Sequence, residues 1–229
     1  VQTIPANFTG YDPDLDLKLA DSLPNYTRPA ALTGSSGTLI LFAGRDYELY
    51  AVPADASSAP EQLTNSGDVY SVAASPDGRW LAYTSPDASD NHIYLYDLAA
   101  DAASAVELQS PTTQHPEEGG SSADTNTILY ADALAFDYTS SLLVFDLLNC
   151  ISSPDSSCAG GGGLRYWSIG ILDLSNGQLY YPASEQNPLI NFGYPAFATN
   201  NNFVVTMDVV DLSQESTTGE IASEVITVN

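Results

Sequence analysis

The chain has 229 residues and is 44% hydrophobic, which suits one domain with a sizeable core and excludes a disordered chain. Its formal net charge is -24, from 29 acidic residues against only five basic ones, Lys18, Arg28, Arg45, Arg79 and Arg165. It therefore lacks the cationic footprint that nucleic acid and anionic membrane surfaces require, and no apolar run approaches the roughly 20 residues of a membrane helix.

Acidity by depletion of bases suits solubility in a salty or extracellular medium. Its sharper reading is recruitment of a basic partner. Val1-Gln2-Thr3-Ile4-Pro5 has no basic and apolar leader pattern, so the expectation is a cleaved signal or a piece of a longer precursor.

Residues 1 to 25 show no clear periodicity and read as an N-terminal extension, with Val1 to Ile4 able to supply an outer strand. Asp12-Pro13-Asp14-Leu15-Asp16 faintly resembles a calcium loop. Leu17 and Leu23 stand where an EF-hand needs Gly and Glu, so a solvated acidic linker is expected instead. Asn7-Phe8-Thr9 and Asn25-Tyr26-Thr27 are sequons that matter only in a secreted eukaryotic protein.

The first sheet unit spans about 26–64. Strands are expected at Pro29 to Thr33, Thr38 to Ala43, Tyr47 to Val52 and Glu61 to Thr64, with a turn at Gly34 to Gly37. The second unit, about 68–109, is the clearest. Val69 to Ala74 is a short strand, stopped by Ser75-Pro76-Asp77-Gly78. Pro pre-sets φ for a turn, Asp can bond its own backbone, and Gly accepts positive φ. Trp80 to Thr84 returns, Ile93 to Leu98 follows, and Val106 to Leu108 closes the unit. Gly78 lies 41 positions after Gly37, which aligns Trp80-Leu81-Ala82-Tyr83 with Leu39-Ile40-Leu41-Phe42.

Gln109 to Thr127 is a polar insert expected to be an exposed excursion. The third unit, about 128–182, has strands at Ala133 to Asp137, Leu142 to Leu147, Tyr166 to Leu174 and Gln178 to Tyr181. A cysteine loop and Gly160 to Gly163 interrupt it. The fourth, about 192–229, has Pro195 to Thr199, an Asn200-Asn201-Asn202 turn, Phe203 to Val210, and Gly219 to Val228. No segment carries a persuasive helical period, so the class is all-β.

Four strands in about forty residues match one blade of a β-propeller. The Ser75-Pro76-Asp77-Gly78 turn, with Trp80 to Tyr83 and Ile93 to Leu98 beyond it, resembles the PD40 or WD40-like repeat of TolB-type propellers. In the third and fourth units the turn departs from it, at Thr139-Ser140 and Asn200-Asn201. The resemblance implies antiparallel four-stranded blades over residues 26–229. Four blades leave two arrangements open: a small closed ring completed by the N-terminal strand, or a segment of a larger propeller.

Cys150 and Cys158, in NCISSPDSSC, can close a disulfide worth roughly 2.5 kcal/mol by chain-entropy arithmetic. Such pairs belong to oxidising compartments, so a periplasmic, secreted or cell-surface location is expected. His92 and His115 are the only histidines, too few for a zinc site with these cysteines. No cofactor or metal is expected. Gly-x-Ser-x-Gly, a P-loop and a dinucleotide fingerprint are absent, so no catalytic residue is assigned. Gly160 to Gly163 reads as a flexible linker.

The candidate binding residues fall in two groups. Asp87, Asp90 and His92 share one expected loop, and Arg45 and Asp46 occupy the equivalent loop of the first unit. In propellers such loops gather on one face around the channel, although Asp also favours loops through local hydrogen bonds alone. Arg165, Tyr166 and Trp167 have the composition of an interface hot spot, with core packing of Trp167 as the alternative. The leading functional expectation is an exported, non-catalytic propeller that binds another protein or scaffolds an assembly. The alternatives are the propeller portion of a peptide- or glycan-acting enzyme, and a module of a surface filament or adhesin.

Overall fold

The computed structural model describes residues 28–34, 37–85, 90–109, 125–152, 157–159, 161–183, 190–199, 201–211 and 223–228. These form fifteen strands in four antiparallel sheets, with no helix among the described residues. The first sheet comprises β1 (Ala30–Gly34), β2 (Gly37–Ala43), β3 (Leu49–Pro53) and β4 (Glu61–Gln62). The second comprises β5 (Val72–Ala74), β6 (Trp80–Thr84), β7 (His92–Asp97) and β8 (Ala102–Glu107). The third comprises β9 (Thr125–Phe136), β10 (Leu142–Ser152), β11 (Leu164–Asp173) and β12 (Gln178–Ala183). The fourth comprises β13 (Ile190–Ala198), β14 (Asn201–Asp211) and β15 (Ser223–Val228). Each sheet pairs its strands in chain order, which is the meander of a propeller blade.

Strand alternation gives a blade two faces, and successive blades pack face to face. Leu41, Ala43, Leu49 and Ala51 of the first blade meet Val69, Val72 and Leu81 of the second. Ile93 and Leu95 meet Leu143, Phe145 and Leu147 of the third. On the other side of β10, Val144 joins Ile169 against Phe192, Val205 and Met207 of the fourth. Neighbours i and i+1 of β10 thus serve different blades. Among the described residues no strand of the first blade packs broadly on one of the fourth, and these residues form no closed ring. The N-terminal strand expected to complete the last blade, and the residues of the acidic linker and both sequons, lie outside the described residues.

The inner hairpin turns collect at one end of the blades. At the second blade, Gly78 (φ +72°) donates its N–H to the Ser75 carbonyl, and the Ser75 hydroxyl accepts the Trp80 N–H at 2.8 Å. The third blade rebuilds this turn with other residues. Ser140 (φ +60°) takes the glycine position, and the Asp137 carboxylate accepts the Leu142 N–H at 2.7 Å. The two turns touch, the Asp77 N–H donating to the Ser140 hydroxyl at 3.1 Å.

Two expectations change. The outer strand of the second blade runs over Ala102–Glu107, earlier than expected. The third blade's strands are longer than expected, because β10 and β11 stay paired from Leu142↔Asp173 to Ile151↔Leu164. The cysteine loop is therefore the tip of one long hairpin. The Cys150–Cys158 bond closes it, with Cα atoms 6.0 Å apart. Gly163 is no mere linker, since a Cβ there would sit 2.4 Å from the Cys150 sulfur.

Candidate functional site: an acidic, aromatic pocket

At the end of the blades opposite the hairpin turns, a cavity of about 450 Å3 opens between the third and fourth blades. Its construction starts from two bulges. In β9, Ala133 and Leu134 oppose Phe145 alone, and in β13, Tyr194 and Pro195 oppose Met207 alone. Ala133 (φ +47°) and Tyr194 (φ +50°) take the left-handed conformation, an uncommon one for non-glycine residues. Bulges of this kind re-aim side chains and free backbone donors. Here each freed N–H goes to a carboxylate. Ala133 donates to Asp132 at 2.7 Å, and Tyr194 donates to Asp146 at 3.1 Å.

Asp132 and Asp146 are direct cross-strand partners, so their side chains leave the sheet on the same face. Both are buried, at 8% and 5% exposure. Asp146 lies two residues beyond Val144 and so points along the same face, toward the fourth blade. Burial, and then the neighbouring Asp132 carboxyl, push Asp146 up to about 7. Burial also raises Asp132, against the Ala133 N–H and the Ser71 hydroxyl, which favour its charged form. One oxygen of Asp146 accepts the Tyr194 N–H. Its other oxygen, Oδ1, is buried in the pocket wall with no hydrogen-bond partner among the described residues. Asp208, exposed on β14, adds a third carboxyl to the lining.

The remaining walls are aromatic. Tyr130 meets Trp167 edge-on, ring centres 5.7 Å apart, and Tyr70 meets Tyr130 edge-on at 6.4 Å. Tyr47 extends the row from the first blade, 6.5 Å from Tyr70. Burial, and then Asp132, push the Tyr70 hydroxyl up to about 12. The Trp167 backbone N–H donates to the Asn191 side-chain oxygen at 2.8 Å, which ties β11 to the fourth blade. Across the mouth, the Arg28 guanidinium lies 5.1 Å from the centre of the Tyr194 ring. Its charge acts favourably on both Asp132 and Asp146.

Of the candidate binding residues, Trp167 lies in this pocket. Arg165 is exposed on the same strand face and its charge reaches Tyr130. Alternation turns Tyr166 to the opposite face, where it is 1% exposed and accepts a hydrogen bond from Asn126 at 2.6 Å. It is core and presents nothing to a partner. Asp46 and Asp90 are engaged within their own blades. Asp46 accepts the Tyr50 hydroxyl at 2.6 Å, and Asp90 accepts the Tyr94 hydroxyl and His92 Nδ1, each at 2.8 Å. Each tyrosine stacks on its cross-strand partner, Phe42 with Tyr50 at 5.5 Å and Tyr83 with Tyr94 at 5.0 Å. The two clusters are copies of one blade-building device. Arg45 is exposed beside the first, and Asp87 lies outside the described residues.

The sequence reading missed Asp132, Asp146 and Tyr194. One signal was present: Asp146 interrupts the apolar run Leu142 to Leu147, where a carboxylate is costly unless it has a task.

No protein-family profile matches the chain, and no curated protein matches it. Solved structures do. It is similar to a GH74 enzyme of Niastella koreensis, with a TM-score of 0.50 and 12% identity, over 87% of this chain and 27% of that one. It is similar to TolB of Acinetobacter baumannii, with a TM-score of 0.42 and 12% identity, over 80% of this chain and 40% of that one. It is also similar to an oligogalacturonate lyase of Vibrio parahaemolyticus, with a TM-score of 0.47 and 14% identity, over 82% and 46% of the two chains. The chain spans less than half the length of each. At these identities a likeness is one of fold alone.

Proposed function

We propose that this chain is a protein-binding propeller module and that it holds its partner at the pocket between the third and fourth blades. The observation that carries the reading is Asp146, a buried carboxyl with an unpartnered oxygen in the wall of an aromatic cavity. Buried carboxyls with raised titration in a cavity cluster at functional sites. Tyr70, Tyr130, Trp167 and Tyr194 supply the rigid aromatic surface typical of interface anchors. The Cys150–Cys158 bond supports an extracytoplasmic setting, where disulfides persist. The test is affinity capture from the exported fraction of the source cells, with wild-type protein, Trp167→Ala and Asp90→Asn side by side. The captured protein should be lost with Trp167→Ala and kept with Asp90→Asn. Equal capture by all three, with the fold intact, overturns the reading.

A second reading has its own observation. Two opposed carboxyls, one of them pushed up to about 7, are suited to general acid–base work. On that reading the module serves glycan or peptide hydrolysis. Turnover of a chromogenic glycoside or peptide panel, abolished by Asp146→Asn, supports it. No turnover, together with intact partner capture, leaves the binding reading alone.

A further inference from the structure

We propose that the group taken by this pocket is the guanidinium of an arginine side chain on the partner polypeptide, and that Arg28 holds its place when the partner is away. The inference rests on the pocket being the binding site and adds the chemistry of what binds there.

The chemistry of the walls selects a cation. Three carboxyls, Asp132, Asp146 and Asp208, line the cavity. An anion or a phosphate would meet that field head-on. A cation relieves the cost that burial and mutual repulsion impose on Asp132 and Asp146. The aromatic faces select a planar cation, because guanidinium stacks on a ring while its edge N–H groups bond a carboxylate. The molecule already shows this choice at the pocket rim, where Arg28 lies over Tyr194. Arg28 is exposed and precedes the first strand, so it can leave without breaking a sheet. The cavity of about 450 Å3 lies within the ordinary range of ligand pockets and has room for a guanidinium-bearing side chain. With a net charge of -24, the chain as a whole draws in a basic partner.

The experiment uses Trp167 as the reporter. The chain has two tryptophans, so Trp80→Phe leaves Trp167 alone. The probe is an acetylated, amidated Gly-Arg-Gly peptide, with the neutral citrulline peptide as its isostere, titrated at low salt while Trp167 fluorescence is read. The arginine peptide should saturate the signal, and the citrulline peptide should bind at least tenfold more weakly. Arg28→Ala should tighten binding by about two- to fivefold, since a competing cation–π contact is gone. Asp146→Asn should weaken it at least tenfold. Equal binding of the two peptides overturns the inference, as does weaker binding by Arg28→Ala. If partner capture still depends on Trp167 while the arginine peptide does not bind, the pocket remains the interface and the guanidinium assignment falls.

Discussion

Asp132 and Asp146 stand directly opposite each other across the β9–β10 ladder, both buried, with no basic side chain in salt-bridge contact among the described residues. Like charges in opposed positions destabilise a sheet. The fold keeps them by bulging β9 and β13, so that Ala133 and Tyr194 each give one of the carboxyls a backbone N–H.

The raised Asp146 carboxyl makes stability fall with rising pH. Its folded value of about 7 lies above the unfolded value of about 3.9, so between these the native state binds more protons. Its contribution is fully present below the unfolded value and is lost as pH rises through the folded one. Urea unfolding at pH 5 and pH 8 should show wild type losing about 2 kcal/mol more than Asp146→Asn. Parallel pH curves for the two proteins would remove the charge argument.

Asp137 behaves in the opposite sense. It is fully buried in the turn before β10, and burial pushes it up. Hydrogen bonds from Thr139, Leu142 and Ser141 outweigh burial, so it titrates below the usual carboxylate range. Its contribution is present above the unfolded value and is lost as pH falls through the folded one. Asp137→Ala should cost about 2–3 kcal/mol at neutral pH, because several backbone donors lose their acceptor. Unfolding midpoints of the two proteins at neutral pH read this directly.

The disulfide depends on a glycine. A Cβ on Gly163 would meet both cystine sulfurs, at 2.4 and 2.5 Å. Gly163→Ala should strain the hairpin tip, costing about 1–3 kcal/mol and slowing closure of the bond. Thiol titration during oxidative refolding and a thermal melt check it, with Gly161→Ala as a comparison for positive-φ strain alone.

Gly170 sets the packing of the third blade. It is the cross-strand partner of Phe145, and a Cβ there would lie 2.5 Å from the ring. The ring covers the glycine and reaches the core shared with the second blade. Gly170→Ala should lower the unfolding midpoint by an amount matching about 1–3 kcal/mol. Gly170→Ala with Phe145→Leu should recover part of that loss, since the shorter side chain leaves room. No recovery in the double variant would contradict this packing account.

The blades were legible in the sequence because their rules are local. Ser75-Pro76-Asp77-Gly78 announces its turn, and alternation around Trp80 to Tyr83 and Ile93 to Leu98 sets two strands. The third blade was readable for the same reason, although Asp137 and Ser140 build its turn with different chemistry. The pocket was not legible, because it depends on register. Asp132 and Asp146 become neighbours only through the bulge at Ala133 and Leu134, and nothing in a Tyr-Ala-Asp-Ala-Leu run marks a bulge. Tyr166 is buried by parity, since one step along β11 exchanges the pocket face for the core. Trp167, singled out by its composition with Arg165, lies on the pocket face.

The most direct test follows the two indole N–H signals by NMR as the captured partner is added to the protein. Trp167 lies in the pocket, and Trp80 follows the hairpin turn at the opposite end of its blade, beneath the Arg79 guanidinium. The account predicts that the Trp167 signal shifts or broadens while the Trp80 signal stays where it was. A shift at Trp80 with Trp167 unmoved would place the partner at the other end of the blades and contradict the account.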